Sequence, residues 1–166
     1  MAYVSRGFIP QTSLAANLGF TRPMYIPAGN ATATALYDIV KVSTSGSTVD
    51  TAGVPAGLMG CVRVSDKDDV PCGVIVGFIA DPDYLNQTYR SASTARVALV
   101  NYDPQVVLEA QEDDNGTTLA VARIGTPVDL VPGSIDTVTG TSGMQISSAT
   151  LAGSPGMFRL QQRSFA

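Results

Sequence analysis

Residues 57–80 read GLMGCVRVSDKDDVPCGVIVGFIA, and the fold class turns on them. A short β-branched run, GLMGCVRVS, ends in the polar cluster SDKDD, and a second run, CGVIVGFIA, follows. Val and Ile suit a pleated, half-buried surface, while Ser, Asp and Lys in series interrupt it, so the stretch predicts two strands joined by a turn. The pattern continues in both directions. Upstream, LYDIVKVS (36–43) runs into the turn STSGSTVDTAG (43–53); downstream come ARVALVNY (95–102), DPQVVLEAQ (103–111), TLAVARIG (118–125), VDLV (128–131) and MFRLQQRSF (157–165). Short apolar runs separated by turn chemistry every eight to twelve residues or so predict an all-β barrel or sandwich. Val74, Val76, Phe158 and Leu160 are candidate core residues. The segment DPDYLNQTYRSAS (81–93) predicts a loop able to hold helical turns, and GSIDTVTGTSGMQISS (133–148) a long Gly/Ser/Thr loop. No exact internal repeat is present.

Residues 1–32 differ from the rest. Pro10, Pro23 and Pro27 and the pair Gly29-Asn30 interrupt any sustained period, which predicts an extended N-terminal arm ahead of a β-domain at 33–166. The arm is too apolar for a solvated tail. Tyr3, Phe8, Ile9, Leu14, Leu18, Phe20 and Tyr25 are its candidate partner-binding residues, with Met24 and Ile26 beside them. Two placements are open: on a neighbouring protein, with the domain folding without the arm, or on the arm's own domain.

Composition narrows the function classes. The chain has 166 residues, enough for one domain with a core of its own. Only 14% are charged, 45% are hydrophobic and the formal net charge is -4. A surface poor in Lys and Glu gives up the repulsion that keeps monomers apart, so it is suited to being covered by other protein or, alternatively, to an extracellular polar coat. The negative balance and dispersed basic residues argue against nucleic acid as a partner. The start lacks the apolar run of a signal peptide, and Val74 to Ala80 is too short to span a bilayer, so a soluble chain with no membrane partner is expected.

Chemical sites are scarce. In VVLEAQEDDNG (106–116), Glu109, Glu112, Asp113 and Asp114 crowd together. An EF-hand register with Gly116 at the central glycine puts Gln111 and Ala122 where carboxylates are required, so a calcium loop fails. The pleat separates Glu109 from the later acids, which disfavours a catalytic pair. The segment instead predicts a strand over 104–111, a reversal at EDDNG and a return strand from Thr117. GTSGM (140–144) lacks the final glycine of a nucleophile elbow, the chain has no histidine, and no Rossmann or Walker spacing occurs. No cofactor, zinc site or enzymatic activity is expected. Cys61 and Cys72 flank SDKDD, so their strands are expected to pair and their sulfurs could approach, although free thiols are the commoner state of such residues in a reducing compartment.

DPQVVLEAQEDDNGTTLAVARIGTPVDLV, followed by GSIDTVTGTSGMQISSAT, resembles the C-terminal half of the head decoration, or cement, proteins of tailed bacteriophages. Asp103, Pro104, Gln111, Glu112, Asp113, Gly125, Asp129, Gly140, Ser142 and Gly143 match that family's pattern of an Asp-Pro before a strand, a Gln-Glu-Asp after it, and a later Gly-x-Ser-Gly loop. PAGNATATALYDIVKVS and CGVIVGFIADPDYL resemble its first and middle strand segments, so the likeness covers most of residues 27 to 150. The chain departs at Leu108, where an aromatic is common, and at Ile146 and Ser147, where a Leu-Asp pair is common. The resemblance implies a non-enzymatic virion protein on the outer surface of the capsid, assembled in the host cytoplasm. Its implied partners are the major capsid protein and further copies of itself, as a homotrimer or a dimer. The competing reading is a carbohydrate-binding β-module, a phage or cell-surface adhesin, with Tyr84, Tyr89 and Tyr102 as stacking platforms beside Asp81 and Asp83.

Overall fold

The computed structural model describes residues 6–13, 20–47, 54–66, 68–83, 85–113, 115, 119, 124–148 and 157–161. Among them all regular structure is strand: β1 (Ile9–Ser13), β2 (Thr21–Ile26), β3 (Ile39–Ser43), β4 (Gly60–Arg63), β5 (Gly73–Phe78), β6 (Arg96–Asn101), β7 (Val106–Glu109), β8 (Pro127–Val128), β9 (Leu130–Val131), β10 (Gln145–Ile146) and β11 (Phe158–Arg159). Five of these close into a barrel in the order β2-β4-β3-β5-β6. The protein is an all-β small domain.

The continuous apolar run in β5 follows from burial on both faces. Ile75 points into the barrel with Met24, Ile26, Val40, Cys61, Ala98 and Val100. Val74 and Val76 point outward, into a second cluster with Phe8, Ile39, Val64, Leu130 and Met144. Alternation persists in the backbone, but both sides of the strand are covered, so no polar residue marks a solvent face. The cover on the outer side comes from three two-stranded ribbons, β1-β7, β9-β10 and β8-β11. Phe8 and Phe158 stack there with ring centroids 5.0 Å apart.

A buried ion pair joins the barrel to this cover. Arg63 Nε stands 2.9 Å from Asp38 Oδ1, Asp38 Oδ2 accepts from the Ala35 amide at 2.8 Å, and Arg63 Nη2 donates to the carbonyl of Gly133. Burial raises the Asp38 carboxyl above its ordinary value, with Arg63, Ser142 and the Ala35 amide acting against that rise.

The division of the chain near residue 32 does not separate an arm from the barrel. β2 lies inside the expected arm, pairs with β6 from Thr21↔Asn101 to Ile26↔Arg96, and sends Met24 and Ile26 into the core with no exposed surface. The second placement, on the arm's own domain, is the one observed for residues 21–26 and for Phe8. Pro23 conceals this strand without breaking it. The Tyr25 amide donates toward β4, to Met59, so the nitrogen of residue 23 faces the same side. There β4 pairs only at Tyr25↔Gly60, and the missing N–H of proline leaves no ladder bond unmade.

Two further expectations change. The strands of Cys61 and Cys72 do not pair, because β3 lies between β4 and β5; both cysteines are free. The reversal expected at EDDNG involves residues outside the described set, and the acidic positions before it are tied into the domain. β7 pairs with β1, Glu112 bridges Ile146, and the Asp113 amide donates to the Ile146 carbonyl; the expected return strand falls largely outside the described residues. The loop at 133–148 contains β10 and a tight turn at 136–141, and the described part of 81–93 is turns and bends without a helix.

Candidate functional site

Where β3 and β5 meet the β1-β7 ribbon, the barrel wall leaves an open cleft of about 700 Å³. Ile39, Val74, Val106 and Leu108 form its sides, Met157 and Phe158 contribute from β11 and the residue before it, and Val42, Val70, Pro71, Tyr102 and Pro104 surround the opening. It exists because β7 leaves the barrel: the Asp103 carboxylate accepts from the Gln105 amide at 2.8 Å, a local turn that sends the chain away from β6 and into β7.

The rim is apolar and nearly neutral. Val70 is 80% exposed and Val42 and Tyr102 are exposed as well. Phe20, 54% exposed, adjoins Tyr102, whose amide donates to the Phe20 carbonyl at 2.9 Å. The Lys41 lining the cleft is paired with Asp69 at 2.5 Å. Burial acts to raise the Asp69 carboxyl, but bonds from Lys41 and from the Ser65 and Asp66 amides outweigh it and hold the group below its ordinary value. Those two amide bonds also close the SDKDD turn. The arrangement offers an apolar, charge-compensated surface to another protein, with the free Cys72 thiol in its lining.

The opposite end of the β5-β6 hairpin is built differently. Strand β5 runs from the cleft at Gly73 to Phe78, about 17 Å at the usual rise per residue, and the 79–95 connection folds over that end. Arg90, with no exposed surface, donates from Nε to the Thr94 carbonyl at 2.6 Å, from Nη1 to Thr32 at 2.7 Å and from Nη2 to Pro27 at 2.8 Å. Burial lowers its pKa to about 10, with Tyr25 and Cys61 acting to raise it. Arg96 donates to the carbonyls of Tyr89 and Gln87 and lies over the Phe78 ring, 4.8 Å from its centroid. Two arginines thus gather carbonyls from several segments over the barrel end, Pro27 also accepting from the Asn30 amide.

Of the candidate partner-binding residues, Tyr3, Leu14 and Leu18 lie outside the described residues. Phe8 is buried, Ile9 and Tyr25 are half-buried in strands, and Phe20 is exposed beside Tyr102. The cleft brings together Val42, Val70 and Tyr102, none of which the arm reading includes, and Phe20 reaches it only as the backbone neighbour of Tyr102; the signal for Val70 was an apolar residue directly after a turn. Of the stacking tyrosines, Tyr84 is outside the described residues, Tyr89 is half-buried, and Tyr102 has the Arg22 guanidinium 6.0 Å from its ring centroid.

The tested chemical candidates have local bonding roles. Glu109 accepts from the Gln11 amide at 2.6 Å, Glu112 from the Leu119 backbone at 2.9 Å, and Asp113 from the Ser148 backbone at 2.6 Å. Ser142 is buried and accepts from the Met144 amide at 3.0 Å. Burial foremost, with Cys72 adding and Arg90 opposing, pushes the Cys61 thiol up to about 12; burial likewise lifts Cys72 to about 11, partly offset by a backbone hydrogen bond. Both stay protonated and weakly nucleophilic near neutrality. Among the described residues no cluster of three or more acids, cysteines or histidines is placed to hold a metal.

No family model, curated protein or solved structure matches the chain.

Proposed function

We propose that the protein is a decoration protein of a phage head, a non-enzymatic cement that seats on the outer capsid surface and reinforces contacts between major capsid protein subunits. The cleft carries the reading. Its open apolar volume, with exposed Val42, Val70 and Tyr102 around it and its lysine neutralised by Asp69, is chemistry for covering against another protein. The residue pattern of 103–143 supplies the kind of partner. Symmetric sites on a shell favour a matching symmetric oligomer, here a homotrimer with a dimer as the alternative. The carbohydrate reading is weaker, since Arg22 lies over Tyr102 and Tyr89 is half-buried.

Heads assembled without this protein provide the test. Wild-type protein added to them should co-sediment, while Val42→Asp and Val70→Asp, retaining β-type circular dichroism, should bind at least about tenfold more weakly, as loss of an interface hot spot does. Failure of the wild type to bind such heads, or unchanged binding by both folded variants, would overturn the assignment.

A further inference from the structure

Three side chains close a ring where the acidic segment meets the end of β10. The Asp113 carboxylate accepts from the Ser148 amide at 2.6 Å through Oδ1 and from Asn115 Nδ2 at 3.2 Å through Oδ2. The Ser148 hydroxyl donates to Asn115 Oδ1 at 2.7 Å. An ionised carboxylate only accepts, so the nitrogen of the Asn115 side chain faces Asp113 and its oxygen is left for Ser148. The backbone holds the ring in place, because the Asp113 amide bonds the Ile146 carbonyl and the Ile146 amide bonds the Gln111 carbonyl, both at 2.9 Å. Ser148 is 6% exposed whereas Asn115 is open to solvent. A fixed donor thus meets a solvated amide.

Gly116 follows Asn115, and this is the one Asn-Gly pair in the chain. The backbone nitrogen of the residue after an asparagine can attack the side-chain carbon Cγ, and glycine has no Cβ to obstruct the approach. The other four asparagines, Asn17, Asn30, Asn86 and Asn101, precede Leu18, Ala31, Gln87 and Tyr102, each of which carries a side chain beside the attacking nitrogen. As the nitrogen adds, negative charge develops on Oδ1, the atom that the Ser148 hydroxyl already bonds. A donor held at that position stabilises the charge as it forms.

We propose that Asn115 is a site of spontaneous covalent modification, with Ser148 polarising its side-chain carbonyl for attack by the Gly116 nitrogen. The Gly116 nitrogen gives up its proton and bonds Cγ, the bond from Cγ to Nδ2 breaks, and Nδ2 leaves as ammonia with the transferred proton. A cyclic imide remains. Water then opens it at one or the other carbonyl, giving isoaspartate or aspartate, and nothing is oxidised or reduced. The product has a carboxylate where Asn115 had a donor to Asp113, and like charges at hydrogen-bond distance repel. The ring therefore opens as the protein ages, and the clip between the acidic segment and β10 is released by chemistry that the chain itself carries. The proposal does not depend on the capsid assignment.

The full chain is incubated in mildly alkaline buffer and sampled by peptide mass spectrometry, with labelling by an isoaspartate-specific methyltransferase as a second readout. Asn115 should convert first among the five asparagines, and more slowly in mildly acidic buffer, because the attacking nitrogen must lose its proton. Gly116→Ala should suppress the conversion. Ser148→Ala should slow it about tenfold, less than the loss of a buried oxyanion donor costs an enzyme, while Ser148→Thr, which keeps the hydroxyl, should retain the rate. Circular dichroism checks folding, and Ser148→Cys, a weaker donor of similar shape, replaces Ser148→Ala if that variant does not fold. Asn115→Asp, which installs the product charge at once, should lower the urea midpoint, and adding Asp113→Asn should recover most of the loss. Conversion no faster at Asn115 than at the other asparagines, or a rate unchanged or raised when the Ser148 hydroxyl is removed from a folded chain, would overturn the proposal.

Discussion

The two ends of the β5-β6 hairpin are held in place by opposite means. At the cleft, the exposed rim of Val42, Val70 and Tyr102 sits on apolar packing, with Phe8 stacked on Phe158 beneath the adjoining ribbon. At the loop end, buried guanidinium groups bond one backbone carbonyl after another. Apolar packing is non-directional and tolerates adjustment, whereas a desolvated arginine is costly unless each donor meets its acceptor. The cleft end can therefore adapt to what covers it, and the loop end presents one shape.

Deleting residues 2–28 gives the largest effect that bears on this comparison. It removes β2 and opens the barrel between β4 and β6, so the truncated chain should lose cooperative unfolding and its β-type circular dichroism. A folded, cooperatively melting truncation would show that the barrel closes without β2 and restore the arm as a separate element. Next, Arg90→Ala should destabilise the protein by about 3–5 kcal/mol in urea unfolding, because three carbonyls lose their charged donor inside a packed site. A cost below about 1 kcal/mol, the range of ordinary surface substitutions, would remove the distinction between the two ends.

Gly140→Ala, which places a Cβ against Thr88 at a left-handed backbone position, should cost about 1–2 kcal/mol and lower the melting temperature. The same experiment on Gly29, which has open space around it, should show little change. The pH dependence of stability separates two carboxyls. Asp69 is held below its ordinary value of 3.8, so its contribution is present above that value and lost as pH falls through the lower folded value. Asp38 is raised above 3.8, so its contribution is present below 3.8 and lost as pH rises through the higher folded value. Asp69→Asn should thus shallow the acid-side loss of stability and Asp38→Asn should steepen it, read from urea midpoints across the acid range; identical slopes for both variants would contradict the assignment. Smallest of all, Val70→Ser and Phe20→Ser should shift stability by no more than about 0.5 kcal/mol, since neither side chain is buried.

Strand class was legible because propensity and turn chemistry are local. The Val/Ile runs at 39–42, 74–76 and 97–100 became β3, β5 and β6, and the SDKDD cluster became a turn because a carboxylate three or four residues on can bond the preceding amides. β2 was hidden because Pro23 breaks a local pattern that its ladder tolerates on one side only. Several positions of the phage-like pattern proved to be backbone clamps: the Asp103 turn, the Asp113 bond to Ser148, and Gly140 against Thr88. They are readable as turn residues, but the cleft and the arginine-held loop end are not, since each joins segments far apart in the chain.

From its sequence alone the protein is committed to short strands, tight turns, a charge-poor surface and a chain without histidine chemistry. These properties depend on neighbours a few residues apart, or on composition. Only the tertiary structure decided that β3 separates Cys61 from Cys72, that Arg90 faces carbonyls from Pro27, Thr32 and Thr94, and that the cleft and the 79–95 connection lie at opposite ends of one barrel. Those outcomes rest on which strands become neighbours, and strand order is set by the joint burial of both faces of the barrel wall, a condition that no local window of sequence contains.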